Sequence, residues 1–555
     1  MSGVLASSSS SQSGAAASTA SRNRPRPPRQ IPSHGGASNV DSRSVSTPQH
    51  ENLSTSAEST ARTSKSDTDS QARRIPTPLS EEQKDPNIQF VEVQTLLFGD
   101  NPVALNPKTI QLKNHEPTKA SQKKCGIIKS YAANTNQGII RDYNEDRVSI
   151  ILNILKPKNK ANLDIEWPQI CFFGVFDGHG GSACADYLRD NLHNFVVQNE
   201  QFPQNPIEAI KEGFRECERN FLMLVEQAQA RAQSMMTGQN VGPERSGSCA
   251  NVVMIIEDTI YVINVGDSRA FMSIDAGNQI GVLSRDHKPD DELEKIRIQA
   301  AGGKIYRTQT FAKAAQHPHE KDLYVQGPLR VFPGRLSVSK TFGDIEAKRP
   351  KYGGNPNVIV CEPDIVSFKV QDNFDYIMIG CDGIFERLSN RDCVDEIWDR
   401  ITEQINISNK MGGGVGDHKG GKRDNNRNRN GKLPGNNKNT SQYNEHQAAA
   451  DGVEIIIRAA AASRSLDNIT SLILGLKGLK RTIQKLNAGQ DLQQIRNQLA
   501  IESQGIKNTY HDDFKFLEVM EPESGIINDA ITIASNIEKP NKRGGNKIQE
   551  SPKEK

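Results

Sequence analysis

The chain has 555 residues, 35% hydrophobic and 5% aromatic, with 69 basic residues against 67 acidic ones and a formal net charge of +2. So even a balance excludes a general field steering the protein to nucleic acid or membrane. The apolar residues, concentrated between about 125 and 476, are enough for one large domain with tails rather than the three or four domains the length would allow.

The opening stretch, MSGVLASSSSSQSG, has neither a charged start nor an apolar run of signal-peptide length, and Ser2 stands where myristoylation needs glycine. Residues 1–84 are rich in Ser, Thr, Pro, Gln and Arg and cannot bury enough surface to offset ordering entropy, so a disordered tail is expected. Thr47-Pro48 and Thr77-Pro78 have the form of proline-directed phosphorylation sites, although bland linker is the commoner reading of such tracts.

From about Gln89 the pattern turns globular. Gly138–Ile140 and Val148–Ile151 read as strands, and Ile170–Phe176 as a buried strand. Ser182–Val197 reads as a helix through Leu188, Leu192, Phe195 and Val196. A second helix is expected from Pro206 to about Gln233, with Ile207, Ile210, Phe214, Cys217, Phe221 and Leu224 on one face and proline in its first turn. Strands are then expected at 251–256, 259–265 and 270–274, the first two forming a hairpin around Glu257 and Asp258. Asp291–Ala300 is a short helix stopped by Gly302-Gly303. Further strands are expected at Val358–Val360, Asp375–Gly380 and Ile469–Leu474, and helices at Asn390–Ile405 and Val453–Arg464. Strands joined by short turns, with helices in runs, favour an α+β layered protein over an alternating βαβ one.

The segment 407–447 is rich in Gly, Asn, Lys and Arg and reads as a disordered surface insertion. After Gly478 a weak amphipathic helix is expected, with the remainder of 479–555 mostly disordered. The longest apolar runs are strand-sized, so no membrane span is expected. Eight cysteines without a CxxC pair read as buried free thiols in a reducing compartment, and argue against zinc. The cytoplasm or nucleus is the default location.

Several acidic residues sit where strands end: Glu145-Asp146, Asp177-Gly178-His179-Gly180-Gly181, Gly266-Asp267-Ser268-Arg269, Cys381-Asp382-Gly383 and Asp467-Asn468. Alone, each has a bland explanation, since Asp-Gly is a turn dipeptide and Glu-Asp is usually a solvated edge. Together they form an oxygen-only donor set that suits hard divalent cations such as Mg²⁺ or Mn²⁺. Two such ions about 4 Å apart activate water and clamp an in-line displacement at phosphorus. His179 is placed to protonate a leaving alkoxide, and Arg141 to hold a phosphate by paired hydrogen bonds.

These residues carry a pattern. In order they are Arg141-Asp-Tyr-Asn-Glu-Asp146, Phe173-Gly-Val-Phe-Asp-Gly-His-Gly-Gly181, Ser246-Gly-Ser-Cys-Ala250 and Val265-Gly-Asp-Ser-Arg-Ala270. There follow Asp286-His-Lys-Pro289, Leu336-Ser-Val-Ser-Lys-Thr-Phe-Gly-Asp344, Cys381-Asp-Gly-Ile-Phe-Glu386 and Ser465-Leu-Asp-Asn-Ile-Thr470. The chain closely resembles the metal-dependent protein phosphatases of the protein phosphatase 2C type over about 125–474. The resemblance implies an α-β-β-α sandwich of two antiparallel sheets flanked by helices, with a catalytic domain at 120–478. It implies hydrolysis of phosphoserine and phosphothreonine in phosphoproteins by a metal-bridging water in a binuclear Mg²⁺ or Mn²⁺ centre.

By that resemblance Asp177 bridges two metals, the Gly178 carbonyl and Glu145 complete one, and Asp382 and Asp467 hold the other. Asp267 with Asp382 would hold a weaker third ion, and Asp146 would partner metal-bound water. His179 would be the general acid and Arg141 the phosphate anchor, with a variable flap at 304–333. Glu386 replaces a frequent Asp, Phe385 a Trp and Cys249 a Thr, the last two expected to stand clear of the chemistry.

A metal-free binding module is disfavoured because every expected ligand is present. The two-metal chemistry alone would also suit a nuclease. The basic insertion resembles RNA-contacting tracts but lacks interleaved aromatics, so nucleic acid is not expected as the main partner and a monomer is.

Overall fold

The computed structural model describes residues 88–99, 105–235, 242–314, 316–317, 319–412 and 442–504, and everything below concerns these. In chain order its first elements are β1 (Ile88–Glu92), α1 (Val93–Phe98), β2 (Lys119–Ala120), β3 (Ser130–Asn136), β4 (Arg147–Ile151), β5 (Ile170–Phe176) and β6 (Gly178–His179). Next come α2 (Ala183–Gln198), α3 (Pro206–Met235), β7 (Gly247–Ser248), β8 (Ala250–Ile256), β9 (Thr259–Val265), β10 (Arg269–Ile274) and β11 (Gln279–Val282). They are followed by α4 (Glu292–Ala300), β12 (Lys304–Lys313), β13 (Asp322–Phe332), β14 (Phe342–Gly343), α5 (Ile345–Lys348), β15 (Asp364–Lys369) and β16 (Phe374–Gly380). The last are α6 (Asp382–Phe385), α7 (Asn390–Gly412), α8 (Glu445–Ala462), β17 (Ile469–Gly475), α9 (Lys477–Asn487) and α10 (Leu492–Gln504).

Two antiparallel sheets form the middle, in the orders β11-β10-β16-β17-β3-β2 and β15-β9-β8-β5-β4. Their central strands are apolar at successive positions because both faces of each sheet are covered. Alternate residues of β5 show this. Cys171, Phe173 and Val175 pack between the sheets with Val253, Ile255, Ile377, Ile379 and Leu472. Ile170, Phe172 and Phe176 instead meet Leu188 and Leu192 of α2 and Phe214 and Cys217 of α3. The far face of the other sheet, through Tyr376, Met378 and Ile473, is covered by Trp398 of α7, Val453 and Ile456 of α8, and Ile483 of α9. Each fully buried large side chain contributes about 1.5–3 kcal/mol. The layers are α-β-β-α, as expected.

Several local expectations change. Gly138–Ile140 is not a strand; β3 ends at Asn136, and Gly138 takes φ +79° with its N–H on Asn136 Oδ1 at 2.9 Å, so the chain leaves the sheet there. Val358–Val360 makes only an isolated bridge from Val360 to Lys340, and Val358 and Ile359 instead fill a small core with Ile298, Val331 and Ala347. On α3, Ile207 and Leu224 are exposed, whereas Ala209, Gly213, Glu218, Leu222 and Val225 are buried. Glu218 tolerates burial because Lys348 Nζ lies 2.5 Å away and the Gly343 N–H donates to it at 2.9 Å.

The ends also move. α7 runs on to Gly412, and α8 starts at Glu445 rather than Val453, fixed by a reciprocal cap between Asn444 and Gln447. Both helices thus enter the expected insertion 407–447. Residues 413–441, with Lys419, Lys422, Arg423, Arg427 and Arg429, lie outside the described residues, as do the expected tail 1–84 and residues 505–555. The boundary expected at 478 falls inside the core. Leu479, Ile483, Leu486, Leu492 and Ile495 are buried, on two helices broken near Gly489 rather than one. All eight cysteines are free thiols, six buried and Cys125 and Cys361 partly exposed. The flap is the hairpin β12–β13, to which β1 adds a third, parallel strand.

Candidate metal centre

Three carboxylates meet where the sheets end. Asp177 follows β5 of one sheet, and Asp382 follows β16 of the facing sheet. Asp267 lies in the β9–β10 turn that crosses between them. One oxygen from each lies within 4.8 Å of the others. Asp267 is buried and the other two are partly exposed. The turn is held by His287, whose Nδ1 accepts the Gly266 N–H at 3.0 Å. Its Nε2 lies 3.0 Å from Asp364 Oδ2, poorly aligned for a hydrogen bond. Gly266 sits so close to Cys249 that a Cβ would come within 2.2 Å of its sulfur. The Cys249 thiol donates to Asp267 Oδ1 at 3.4 Å, correcting the expectation that this residue stands clear of the chemistry.

Desolvation and mutual repulsion push Asp177 and Asp382 well above the usual carboxylate range, and Asp267 is raised as well, chiefly by desolvation. Lys288 faces the trio with Nζ 3.6 Å from Asp267 Oδ2; burial opposes its charge, but Asp267 and Asp382 outweigh it and raise its pKa. Oxygen-only donors crowded until each resists ionisation fit a hard divalent cation, which supplies the missing positive charge.

The other expected ligands are not among the three whose oxygens converge, although the Asp467 carboxylate is near enough to repel Asp177 and Asp382. Glu145 is buried, its Oε1 accepting the Gly181 N–H at 2.5 Å. Its own N–H donates to Asn468 Oδ1 at 2.9 Å, and Asn468 Nδ2 donates to the carbonyls of Gln137 and Tyr143. Asn468 therefore staples the 137–145 loop to the start of β17. Gly178 is buried on β6, and a Cβ there would come within 2.5 Å of the Glu145 carbonyl oxygen. Asp467 Oδ2 accepts from Arg141 Nη2 at 2.5 Å, and Arg141 Nε donates to the Leu466 carbonyl at 3.2 Å. Asp146 is buried and accepts from Thr470 Oγ1 at 2.6 Å; desolvation lifts its carboxyl to about 7 against that hydrogen bond.

A three-stranded patch, β14-β7-β6, sets His179. His179 pairs with Gly247, and Gly247 with Gly343, next to Asp344. The histidine Nε2 lies 2.9 and 3.0 Å from the two Asp344 carboxylate oxygens. Only glycine fits between them: a Cβ on Gly247 would come within 2.0 Å of Asp344 Oδ2 and 2.4 Å of His179 Nε2. Burial works against the imidazolium, but the charge and hydrogen bond of Asp344 prevail and raise its pKa.

The family model for protein phosphatase 2C matches residues 141–412. "Probable protein phosphatase 2C 5" of Paramecium tetraurelia is 28% identical over 275 residues, 49% of this chain and 84% of that protein. "Protein phosphatase 2C 1" of the same organism is 30% identical over 231 residues, 41% of this chain and 68% of that protein. "Probable protein phosphatase 2C 11" of Arabidopsis thaliana is 32% identical over 255 residues, 46% of this chain and 53% of that protein. The chain belongs to the protein phosphatase 2C family. It is accordingly a metal-dependent protein serine/threonine phosphatase, a hydrolase whose substrates are phosphoproteins, and the acidic trio can hold a metal ion. No helix among the described residues is long and apolar enough to cross a membrane.

Reading the sequence left Asp344, Lys288, His287, Asn468 and Thr470 without roles, although all five lie inside the quoted motifs. An Asp three residues after Thr341 and far along the chain from His179 gives no local signal; only the β14-β7-β6 patch joins them. Phe385, standing where the family often has Trp, serves as the plane over which the Arg269 guanidinium lies at 4.7 Å while pairing with Asp286.

Proposed function

We propose that this phosphatase cleaves phosphoserine and phosphothreonine by direct attack of water, with two divalent cations, Mg²⁺ or Mn²⁺. The supporting observation is the convergence of Asp177, Asp267 and Asp382 from both sheets, more crowded than the protein's own cations balance. Asp177, the Gly178 carbonyl and Glu145 would hold one ion, Asp382 and Asp467 the other, and Asp267 with Asp382 a weaker third. When bound, such ions supply Lewis-acid polarisation of phosphoryl oxygens and a nucleophile from water at neutral pH.

The remaining work falls to the protein. Arg141, half exposed and already braced by Asp467 and the Leu466 carbonyl, turns its fork of N–H donors to the phosphate. Asp146, anchored by Thr470, accepts a hydrogen bond from the attacking water. His179 is kept protonated and oriented by Asp344 on Nε2, so the proton on Nδ1 goes to the leaving serine or threonine oxygen.

The test is dephosphorylation of phosphoserine, phosphothreonine and phosphotyrosine peptides in Mn²⁺, in Mg²⁺ and in EDTA, with Asp382→Asn alongside. Activity on the first two peptides should require metal, vanish in EDTA, and fall by more than about 10³-fold in the variant, the equivalent of several kcal/mol of lost transition-state stabilisation. Full activity in EDTA would sink the reading.

A further inference from the structure

Residues 88–98 precede the matched family region, yet they touch two parts of the molecule that lead into the site. β1 runs parallel to the outer half of β13, with Ile88 opposite Asp322 and Glu92 opposite Gln326. No tight turn can close a parallel pair, so this strand is delivered from elsewhere in the chain. Phe90 and Phe311 are both register partners of Tyr324, and their ring centroids lie 6.0 and 5.4 Å from it. One aromatic row therefore crosses all three strands of the flap sheet, a cross-strand arrangement that resists fraying.

α1 follows β1 without a gap and ends on a different loop. Gln94 Nε2 donates to the Arg464 carbonyl at 2.9 Å, and the Arg464 guanidinium lies over the Phe98 ring at 4.5 Å. Arg464 holds φ +62°, a left-handed conformation that a non-glycine residue keeps only when its surroundings enforce it. It is followed by Ser465, whose Oγ accepts the Asp467 N–H at 3.4 Å, and by Leu466, whose carbonyl Arg141 grips. The same loop is thus held by α1 at Arg464 and by Arg141 at Leu466 and Asp467. At the other end, β13 leads through 333–341 to Asp344, the partner of His179.

We propose that residues 88–98 act as a clip coupling the flap to the 464–467 loop, so that one segment sets both the flap's position and the presentation of Asp467. Phe98 and Gln94 are then positioning residues: they touch no reacting group and act through Arg464. The proposal rests on the functional reading above only in taking the flap and Asp467 to border the substrate site. It assigns peptide selectivity in part to a segment before the matched region, because a flap released from β1 no longer presents one fixed wall to a phosphopeptide.

Hydrogen exchange read by mass spectrometry on the full chain in EDTA tests this without relying on catalysis. Phe98→Ala, which removes the ring under the Arg464 guanidinium, should speed exchange about tenfold both in 463–468 and in the flap strands 304–313 and 322–332. Phe90→Ala, at the flap end, should loosen the same two segments. Phe98→Tyr, which keeps a ring under Arg464, should restore both, and melting temperatures should stay within about 2 °C of the parent, separating local release from global destabilisation. Loosening confined to the contact each variant removes, or no change in either segment, would overturn the coupling. An inactive parent chain would refute the catalytic reading and leave the exchange result standing.

Discussion

The acidic residues at the cleft fall into two groups that the fold treats differently. Asp177, Asp267 and Asp382 issue from strand ends and a sheet-crossing turn, so packing of the two sheets forces them together. Glu145 and Asp467 lie on loops, and each is already satisfied by a protein donor, the Gly181 N–H and the Arg141 guanidinium. Strand-borne carboxylates thus carry a repulsion that a cation would relieve, while the loop-borne ones, on the proposed ligation, would have to exchange one partner for another. Carboxylates placed rigidly under mutual repulsion gain most from an added cation. Exchangeable partners favour adjustment as the phosphate enters.

The largest test of this division concerns the groups on the loops and the small patch that are proposed to meet the substrate. His179→Gln should slow alkyl phosphopeptides by roughly 10²–10⁴-fold, the usual worth of a general acid. Its effect on an aryl phosphate, whose leaving group needs little protonation, should be much smaller. Equal losses on the two substrates, measured by steady-state kinetics, would place His179 in a purely structural role.

Arg141→Ala removes both the proposed phosphate donor and the partner of Asp467. Charge-assisted hydrogen bonds are worth about 1.5–3 kcal/mol, so kcat/KM should fall roughly 10–150-fold. Most of the loss should appear in KM if Arg141 binds ground state and transition state alike. A loss confined to kcat, with a raised metal requirement, would show that Arg141 matters chiefly through Asp467.

The smallest effects are on stability and have opposite signs. A carboxyl whose folded pKa is raised costs stability at every pH above its unfolded value. Asp382→Asn should therefore raise the melting temperature in EDTA at pH 7, by about 2–4 °C for each kcal/mol relieved. Asp467→Asn, which discards a paired carboxylate, should not raise it. Glu294 is the compensated extreme: desolvation would raise its pKa, but Arg297, Lys340 and His287 bring it down to about 2. A depressed carboxyl contributes stability above its unfolded pKa and loses it as pH falls through the folded value. Glu294→Gln should thus be destabilised at pH 7 by about 3 kcal/mol and converge with the parent between about pH 4.5 and 2 in denaturant titrations. An Asp382→Asn that melts lower than the parent in EDTA would overturn the contrast.

Much of this molecule was legible along the chain. Ile170–Phe176 announces a strand buried on both faces, since seven successive apolar residues leave no solvent side, and an aspartate directly after it must emerge at a sheet end. The same holds for Asp382 after β16, and the ordered motifs carry the family pattern by themselves. What stayed hidden was whatever depends on residues distant in sequence. Nothing local says that Ile207 and Leu224 face solvent while Glu218 is buried, because that follows from Lys348 arriving from another segment. Gly138–Ile140 has strand-like composition, yet a positive φ and a side chain from Asn136 turn the chain away. The pairing of β1 with β13, the trio's convergence and the grip of Asp344 on His179 were likewise decided only in three dimensions. Residue type and period fix which segments become buried elements, and for a fully apolar strand such as β5 that both faces are covered. Which charges become neighbours is set by how the sheets cross, and this the sequence expresses only through the whole fold.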